Sequence, residues 1–121
     1  MFYLLIVGSR TFTNYEKLNS TCTALLANYS EVTIVSGGAR GADALAERFA
    51  REHGYLLTVF NADWETYGKS AGYRRNERMH KHIAQYPNRG CVAFWDGQSK
   101  GTQHNFALAK KYCTQLRIVH V

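Results

Sequence analysis

Proline is almost missing from this chain: Pro87 is the single one in 121 residues. There is also no Ser/Gly-rich tract, no run of like charges and no internal repeat. Nothing therefore marks a linker, and the length leaves room for one domain, residues 1–121. No apolar run approaches the ~18 residues of a membrane span. The start, Met1-Phe2-Tyr3, has no basic region before its short hydrophobic stretch, so neither a membrane nor a secreted protein is expected. The three cysteines, Cys22, Cys91 and Cys113, lack metal-ligand spacing. They read as buried thiols in a reducing, cytoplasmic setting, with no bound metal. Acidic residues are scarce, 9 Asp plus Glu against 15 Lys plus Arg, and the net charge of +6 favours an anionic partner. A nucleotide, a nucleic acid or another phosphate compound would each satisfy that charge. With 45% apolar and 20% charged residues, the composition is that of a folded core, not a disordered segment.

What is present is an alternation of short apolar runs and helix-period segments. Tyr3 to Val7 is a continuous apolar run ending at Gly8, as expected of a strand buried on both faces. Leu18, Cys22, Leu25, Leu26 and Tyr29 form one stripe of a helix opened by Thr13 or Asn14. Val32 to Val35 predicts a second strand that stops at Ser36-Gly37-Gly38, and Gly41 to His53 an Ala-rich helix closed by Gly54. Leu56 to Phe60 makes a third strand, followed by a long polar stretch, Asn61 to Ser70. A helix from Gly72 to Ala84 ends ahead of Pro87. Cys91 to Trp95 is a fourth strand, Thr102 to Cys113 a fourth helix and Leu116 to Val119 a final strand. This βαβαβαβαβ order calls for an α/β fold: a single Rossmann-like three-layer domain, with a parallel sheet of about five strands and helices on both faces.

In such sheets ligands bind beyond the carboxyl ends of the strands, where the strand order reverses. Four connections lie on that edge: Gly8–Thr13, Ser36–Gly41, Asn61–Ser70 and Asp96–Gly101. In the second, Gly37-Gly38-Ala39-Arg40-Gly41 runs into Ala42-Asp43 at the start of a helix. It reads either as a phosphate cradle of free N–H groups with Arg40 beside it, or as a tight turn that needs glycine. In the fourth, Ser99, Lys100, Gly101 and Thr102 offer hydroxyls, charge and close approach, with Thr102 a candidate N-cap. Asp96 can accept from ribose hydroxyls, act as a catalytic base, or merely stabilise the Asp-Gly turn. Ser9 and Arg10 are candidates for a second phosphate or the ribose, Arg10 alternatively being a solvated surface cation. Trp64 and Tyr67 are candidates for base stacking and Lys69 for a phosphate, Trp64 alternatively plugging the loop down. Arg75 and Asn76 open the following helix toward the same edge, with Arg74 and Arg78 sharing another of its faces. Seven of the 15 cations fall on or beside these connections: Arg10, Arg40, Lys69, Arg74, Arg75, Arg78 and Lys100.

Other chemistries find no support. His80 and His82 are two apart on a helix and cannot chelate one metal. His53 and His120 are expected at the wrong ends of their elements, leaving His104 as the histidine near the ligand edge, with its pKa lowered by a helix N-terminus. Gly8-Ser9-Arg10 lacks the later glycines of a dinucleotide fingerprint. Gly68-Lys69-Ser70 lacks the first glycine of a P-loop, and no nucleophile elbow occurs. No cofactor is expected.

Five blocks taken together carry a family resemblance. They are Gly8-Ser9-Arg10, Val35-Ser36-Gly37-Gly38-Ala39-Arg40-Gly41-Ala42-Asp43, Ala62-Asp63-Trp64 with Tyr67-Gly68-Lys69, Arg75-Asn76 with Met79, and Ala93-Phe94-Trp95-Asp96-Gly97 with Gly101-Thr102. In this order they resemble the YspA/YpsA-related branch of the SLOG superfamily over essentially the whole chain. The resemblance implies a Rossmann-like domain that binds nucleotides or derivatives such as ADP-ribose-like molecules, often within bacterial and phage conflict systems. The same superfamily holds the Lonely-guy phosphoribohydrolases, whose last phosphate loop ends in a glutamate. Asn105 stands at that place here, so their N-glycosidic hydrolysis would have to rely on Asp96 or Asp63. It also holds DNA-processing proteins that act on single strands, a role that +6 and the aromatics near arginines would suit. The gathering of cations at one crevice favours a compact ligand. The leading expectation is a binding module for a nucleotide-derived phosphorylated small molecule, acting as sensor or sequestering protein. Its unpaired helix faces point to a homo-oligomer.

Overall fold

The computed structural model describes residues 1–121. Five parallel strands form one sheet: β1 (Phe2–Gly8), β2 (Val32–Ser36), β3 (Leu56–Val59), β4 (Arg89–Trp95) and β5 (Leu116–His120). Their order is β3-β2-β1-β4-β5, so the chain builds outward from β1 in one direction and then returns to build in the other. The reversal falls between β1 and β4, which are paired from Tyr3 opposite Arg89 to Gly8 opposite Phe94. A crevice must open there at the carboxyl ends, because the connections from the two strands leave toward opposite sides of the sheet.

Side-chain alternation along β1 divides the core. Leu4 and Ile6 face α1 (Tyr15–Leu25) and α2 (Ala42–His53), meeting Leu18, Cys22, Ala46, Phe49 and Phe94. Leu5 and Val7 face the opposite layer, where Met79 and Ile83 of α4 (Ala71–Ile83) cover Val35, Cys91 and Ala93. Phe106 of α5 (Lys100–Lys111) packs on that second cluster. The domain is thus a three-layer α/β sandwich. Leu5, Ile6, Ile34, Phe49 and Phe94 are all fully buried, each worth about 1.5–3 kcal/mol of transfer free energy. No helix is long and apolar enough to cross a membrane.

Several boundaries depart from the sequence reading for identifiable reasons. Asn14 caps α1 by accepting from the Lys17 N–H at 3.1 Å, and the helix ends at Leu25. Tyr29 is therefore outside it, with its ring 4.2 Å from that of Phe2. The stretch expected to be a polar loop is mostly helical. Asp63 accepts from the Thr66 N–H at 3.1 Å and caps a short helix, α3 (Trp64–Tyr67), which passes through a 3-10 turn, Gly68–Ser70, into α4. Helix α5 starts at Lys100 because Ser99, not Thr102, is its cap: Ser99 Oγ accepts from the Thr102 N–H at 3.3 Å. Cys22 and Cys91 are buried as expected, whereas Cys113 is exposed, in a left-handed conformation (φ 55°) just after α5. His120 was misplaced by the sequence reading. In a parallel sheet the last residue of β5 lies at the carboxyl edge, and it stands opposite Trp95.

The β1–α1 and β2–α2 connections touch directly at Gly41, which has φ 71°. A Cβ there would collide with the Ser9 carbonyl oxygen and sit 2.5 Å from the Arg10 backbone. Gly41→Ala is expected to destabilise the fold by about 2–4 kcal/mol, from the left-handed strain and the clash together. Urea denaturation checks this, and an unchanged midpoint would mean that the two connections separate without cost.

Candidate functional site

The crevice at the strand reversal is a cleft of about 410 Å³. Gly8, Ser9, Arg10 and Thr11 come to it from the end of β1, and Ala39 and Asp43 from the β2–α2 turn. Trp64 and Lys69 are carried in by α3 and the 3-10 turn, and Gly72, Tyr73, Arg75, Asn76 and Met79 by α4. Asp96, Ser99, Gly101, Thr102 and Asn105 close it from the β4–α5 side. Most of the residues singled out from the sequence thus meet in one place. Six of the expected ligand-binding residues do not line this cleft. Gly37, Gly38 and Arg40 face a neighbouring groove of about 530 Å³, whose wall of Arg10, Ala39, Trp64 and Arg75 is shared with the cleft. Gly41 is occupied by the loop contact described above, and Tyr67 is turned outward with Arg74 over its ring at 4.3 Å. Lys100 is exposed in the first turn of α5. Arg78 likewise leaves the site, lying 5.3 Å from the Phe60 ring.

Much of the polar chemistry is committed to holding the loops. Ser9 is only 1% exposed, and its Oγ accepts from the Asp96 N–H at 3.2 Å. Asp96 Oδ1 in turn accepts from the N–H groups of Gln98 (2.9 Å) and Ser99 (2.8 Å). Those two bonds hold the Asp96 carboxyl below its ordinary pKa, so it is a weak base, and its turn-forming role is realised. The turn expected to present free N–H groups also looks partly inward. The Gly38 N–H donates to Ser36 Oγ at 3.4 Å, the Ala39 N–H to Asp43 Oδ2 at 3.2 Å and the Ala42 N–H to the Ser9 carbonyl at 3.2 Å. Asp63, the other carboxylate considered for catalysis, is the α3 cap.

Arg75 is half-buried and donates to the Gly37 carbonyl and, at 3.0 Å, to Asn76 Oδ1. A Cβ on Gly37 would stand 2.8 Å from Asp43 Oδ2 and 2.9 Å from Arg75 Nη1, so a larger residue here would displace these side-chain ends. Burial, with Arg10 nearby, lowers the Arg75 pKa, while Asp43 opposes the shift. Asn76, also buried, donates through Nδ2 to the Gly101 carbonyl at 3.2 Å and so ties α4 to α5. Asn105 does the same from α5, donating to Gly101 at 3.1 Å while its Oδ1 pairs with His80 Nε2 at 2.9 Å. His80 Nδ1 has no partner, and burial lowers the pKa of the ring. The His104 pKa is lowered too, as expected, but burial is the cause; its ring meets Tyr73 edge-on at 4.7 Å. Trp64 is half exposed and lies 6.0 Å from the Arg10 guanidinium, which makes it a ridge, not a buried plug.

Val7, Thr11, Gly72, Tyr73, Met79 and Asn105 also line the cleft, although the sequence reading did not count them among the ligand-binding residues. Met79 and Asn105 fall one turn beyond Arg75 and Gly101 on their helices, so helical spacing from those residues would have found them. The sequence reading also missed what distinguishes Asp43, a carboxyl 6% exposed on the cleft wall. Burial pushes its pKa up to about 6 against the opposing pull of Arg75 and the Ala39 N–H.

Comparison with known proteins agrees with this architecture. Residues 2–67, more than half of the chain, match the YspA, cpYpsA-related SLOG family. The Gene 61 protein of Mycobacterium phage D29 is 37% identical over 114 residues, covering 89% of this chain and 88% of that protein. Among solved structures, DNA processing protein A from Helicobacter pylori, described for its single-stranded DNA binding mode, superposes with a TM-score of 0.68 at 20% identity. That likeness covers 97% of this chain but only 64% of the Helicobacter protein, and at such identity it is a likeness of fold.

Asp43 gives the site a pH signature. Its folded pKa lies above the ordinary carboxylate value, so the folded protein retains a proton that the unfolded chain has lost between about pH 4 and pH 6. Its contribution to stability therefore declines as pH rises through that window. Asp43→Asn keeps an oxygen for the Ala39 N–H and removes the ionisation. Relative to the parent, the variant is expected to gain about 1–3 kcal/mol in urea denaturation on going from about pH 4 to about pH 8. A pH-independent difference between the two proteins would contradict the burial argument.

Proposed function

The chain belongs to the YspA, cpYpsA-related SLOG family, and on that premise we propose that it binds a nucleotide-derived phosphorylated small molecule as a sensor or sequestering module. ADP-ribose-like, cyclic ADP-ribose-like and other signalling nucleotides are the ligand classes in view. The observation that carries the reading is the cleft itself. It lies at the strand reversal, holds Arg10, Lys69 and Arg75 for anionic groups, and offers the half-exposed faces of Trp64 and Tyr73 for a base. The exposed Thr11 hydroxyl on the cleft wall suits a ribose, with the mutually bonded Ser99 and Thr102 hydroxyls (3.0 Å) facing the same cleft. The similarity to a phage gene product favours a role in phage–host conflict.

Binding is favoured over turnover because the carboxylates available for N-glycosidic hydrolysis serve the scaffold. Asp96 is held ionised by its turn, Asp63 caps α3, and Asn105 pairs with His80 where the phosphoribohydrolases have a glutamate. Single-stranded nucleic acid is the second reading. Its support is the exposed aromatic set Trp64, Tyr67 and Tyr73 interleaved with arginines, together with the single-stranded DNA binding described for the Helicobacter protein.

Isothermal calorimetry against ADP-ribose, cyclic ADP-ribose, NAD, nucleoside monophosphates, cyclic dinucleotides and a short oligo-dT separates these readings. At least one phosphorylated nucleotide derivative is expected to bind tighter than millimolar and to be recovered intact by chromatography. Binding confined to the oligonucleotide, with a steep loss of affinity on adding salt, would move the function to nucleic acid. Release of free base would make the chain a hydrolase, and no binding at all would sink the proposal.

A further inference from the structure

The two cavities that share the Trp64 wall differ in charge. The cleft carries two carboxylates, Asp43 and Asp96, beside Arg10, Lys69 and Arg75. The groove, between the β2–α2 turn and the start of α3, is lined by Arg10, Arg40 and Arg75 and by no carboxylate. None of these three arginines is in a salt bridge: the molecule's ion pairs join Met1 to Glu31, Arg48 to Glu52 and Lys111 to Glu77. Arg75 donates to neutral oxygens of Gly37 and Asn76, and it feels the attraction of the buried Asp43 carboxyl on one side and the repulsion of Arg10 on the other. Three cations thus converge on a groove that no carboxylate lines, the buried Asp43 facing Arg75 from the cleft side, and that arrangement favours the entry of an anion.

We propose that the groove is a separate anion subsite, for the phosphate or diphosphate part of a ligand whose nucleoside part lies in the cleft across the Trp64–Arg10 ridge. The substrate class follows from the geometry. Each cavity alone falls in the lower or middle part of the ~300–1,000 Å³ range of ligand pockets, and a molecule filling both must be longer than a nucleoside monophosphate. A nucleoside diphosphate derivative or a dinucleotide has its anionic groups offset from a base in this way. Arg10 and Arg75 line both compartments, while Arg40 lines the groove alone. The inference rests on the nucleotide-binding reading only for what fills the cleft.

Pyrophosphate is the probe, followed by amide chemical-shift mapping of the whole chain by NMR. The expected shifts centre on Gly38, Arg40, Ala44 and Asn61, with little change at Ser99 to Thr102. Arg40→Ala should weaken pyrophosphate about tenfold, as loss of a charge-assisted contact does. Ala44→Glu, which places a carboxylate in the groove at an early helix position where Glu is well tolerated, should abolish binding. Lys110→Ala removes the same charge from the far end of α5 and should change nothing. Shifts centred on Ser99 to Thr102, equal loss in the Arg40 and Lys110 variants, or no saturable binding would each overturn the proposal. If the groove maps as expected while every nucleotide in the calorimetric panel fails, the subsite stands and the nucleotide reading falls. If nucleotides bind but pyrophosphate maps to the cleft, the reverse holds.

Discussion

Ser9 is where three loops from three strands are held together. Its N–H donates to the Phe94 carbonyl at 2.9 Å, its carbonyl accepts from Phe12 and Ala42, and its hydroxyl oxygen accepts from Asp96. A residue at the end of β1 thereby fixes the starts of α1 and α2 and the β4–α5 turn. This is possible because Gly8 and Gly41 carry no Cβ: one on Gly8 would lie 2.6 Å from both the Ala42 Cβ and the Phe94 carbonyl oxygen. The crevice at the strand reversal keeps its shape through these backbone contacts, without depending on a ligand to assemble it. A preformed pocket avoids the ordering cost that a loose one would incur on binding.

Around that anchor, polar side chains divide into those that build the site and those left to act on a ligand. Asp96, Ser99, Asn76, Asn105 and the Gly38–Ala39 amides satisfy one another or the ends of helices. Arg10, Arg40 and Lys69 have no carboxylate partner. The committed groups hold the cleft in shape, and the free cations, Arg10 and Lys69 in the cleft and Arg40 in the groove beside it, give this edge of the sheet a positive field. Asp43 stands between the two sets, buried, capping the Ala39 N–H and close enough to Arg75 to feel its charge.

The topology and the functional edge were legible in the sequence because they depend on alternation and on where glycines follow apolar runs. Leu4 and Leu5 fall on opposite faces by strand periodicity, and Gly37 to Gly41 announce a tight strand-to-helix connection whatever the detail. What was not legible is which way each polar atom turns. Spacing could not reveal that Arg40 faces the groove alone while Ala39 borders both cavities, because that depends on the left-handed φ of Gly38 and on where Trp64 is carried by α3. Nor could it reveal that Asn61 to Ser70 would become helical after Asp63, since the polar side chains of that stretch mask the capping signal. Asp96 is the clearest case. The ligand-binding and turn-forming readings call for the same residue in the same place, and only the two short bonds from Gln98 and Ser99 separate them.

The central claim is that this scaffold exists to hold a phosphorylated nucleotide derivative. Native mass spectrometry of protein purified gently from its natural host setting, followed by denaturation and identification of what is released, tests it most directly. The account predicts a stoichiometric small molecule bearing both a nucleobase and phosphate, displaced from the protein by added pyrophosphate. Release of an oligonucleotide, or of a molecule without phosphate, would contradict it.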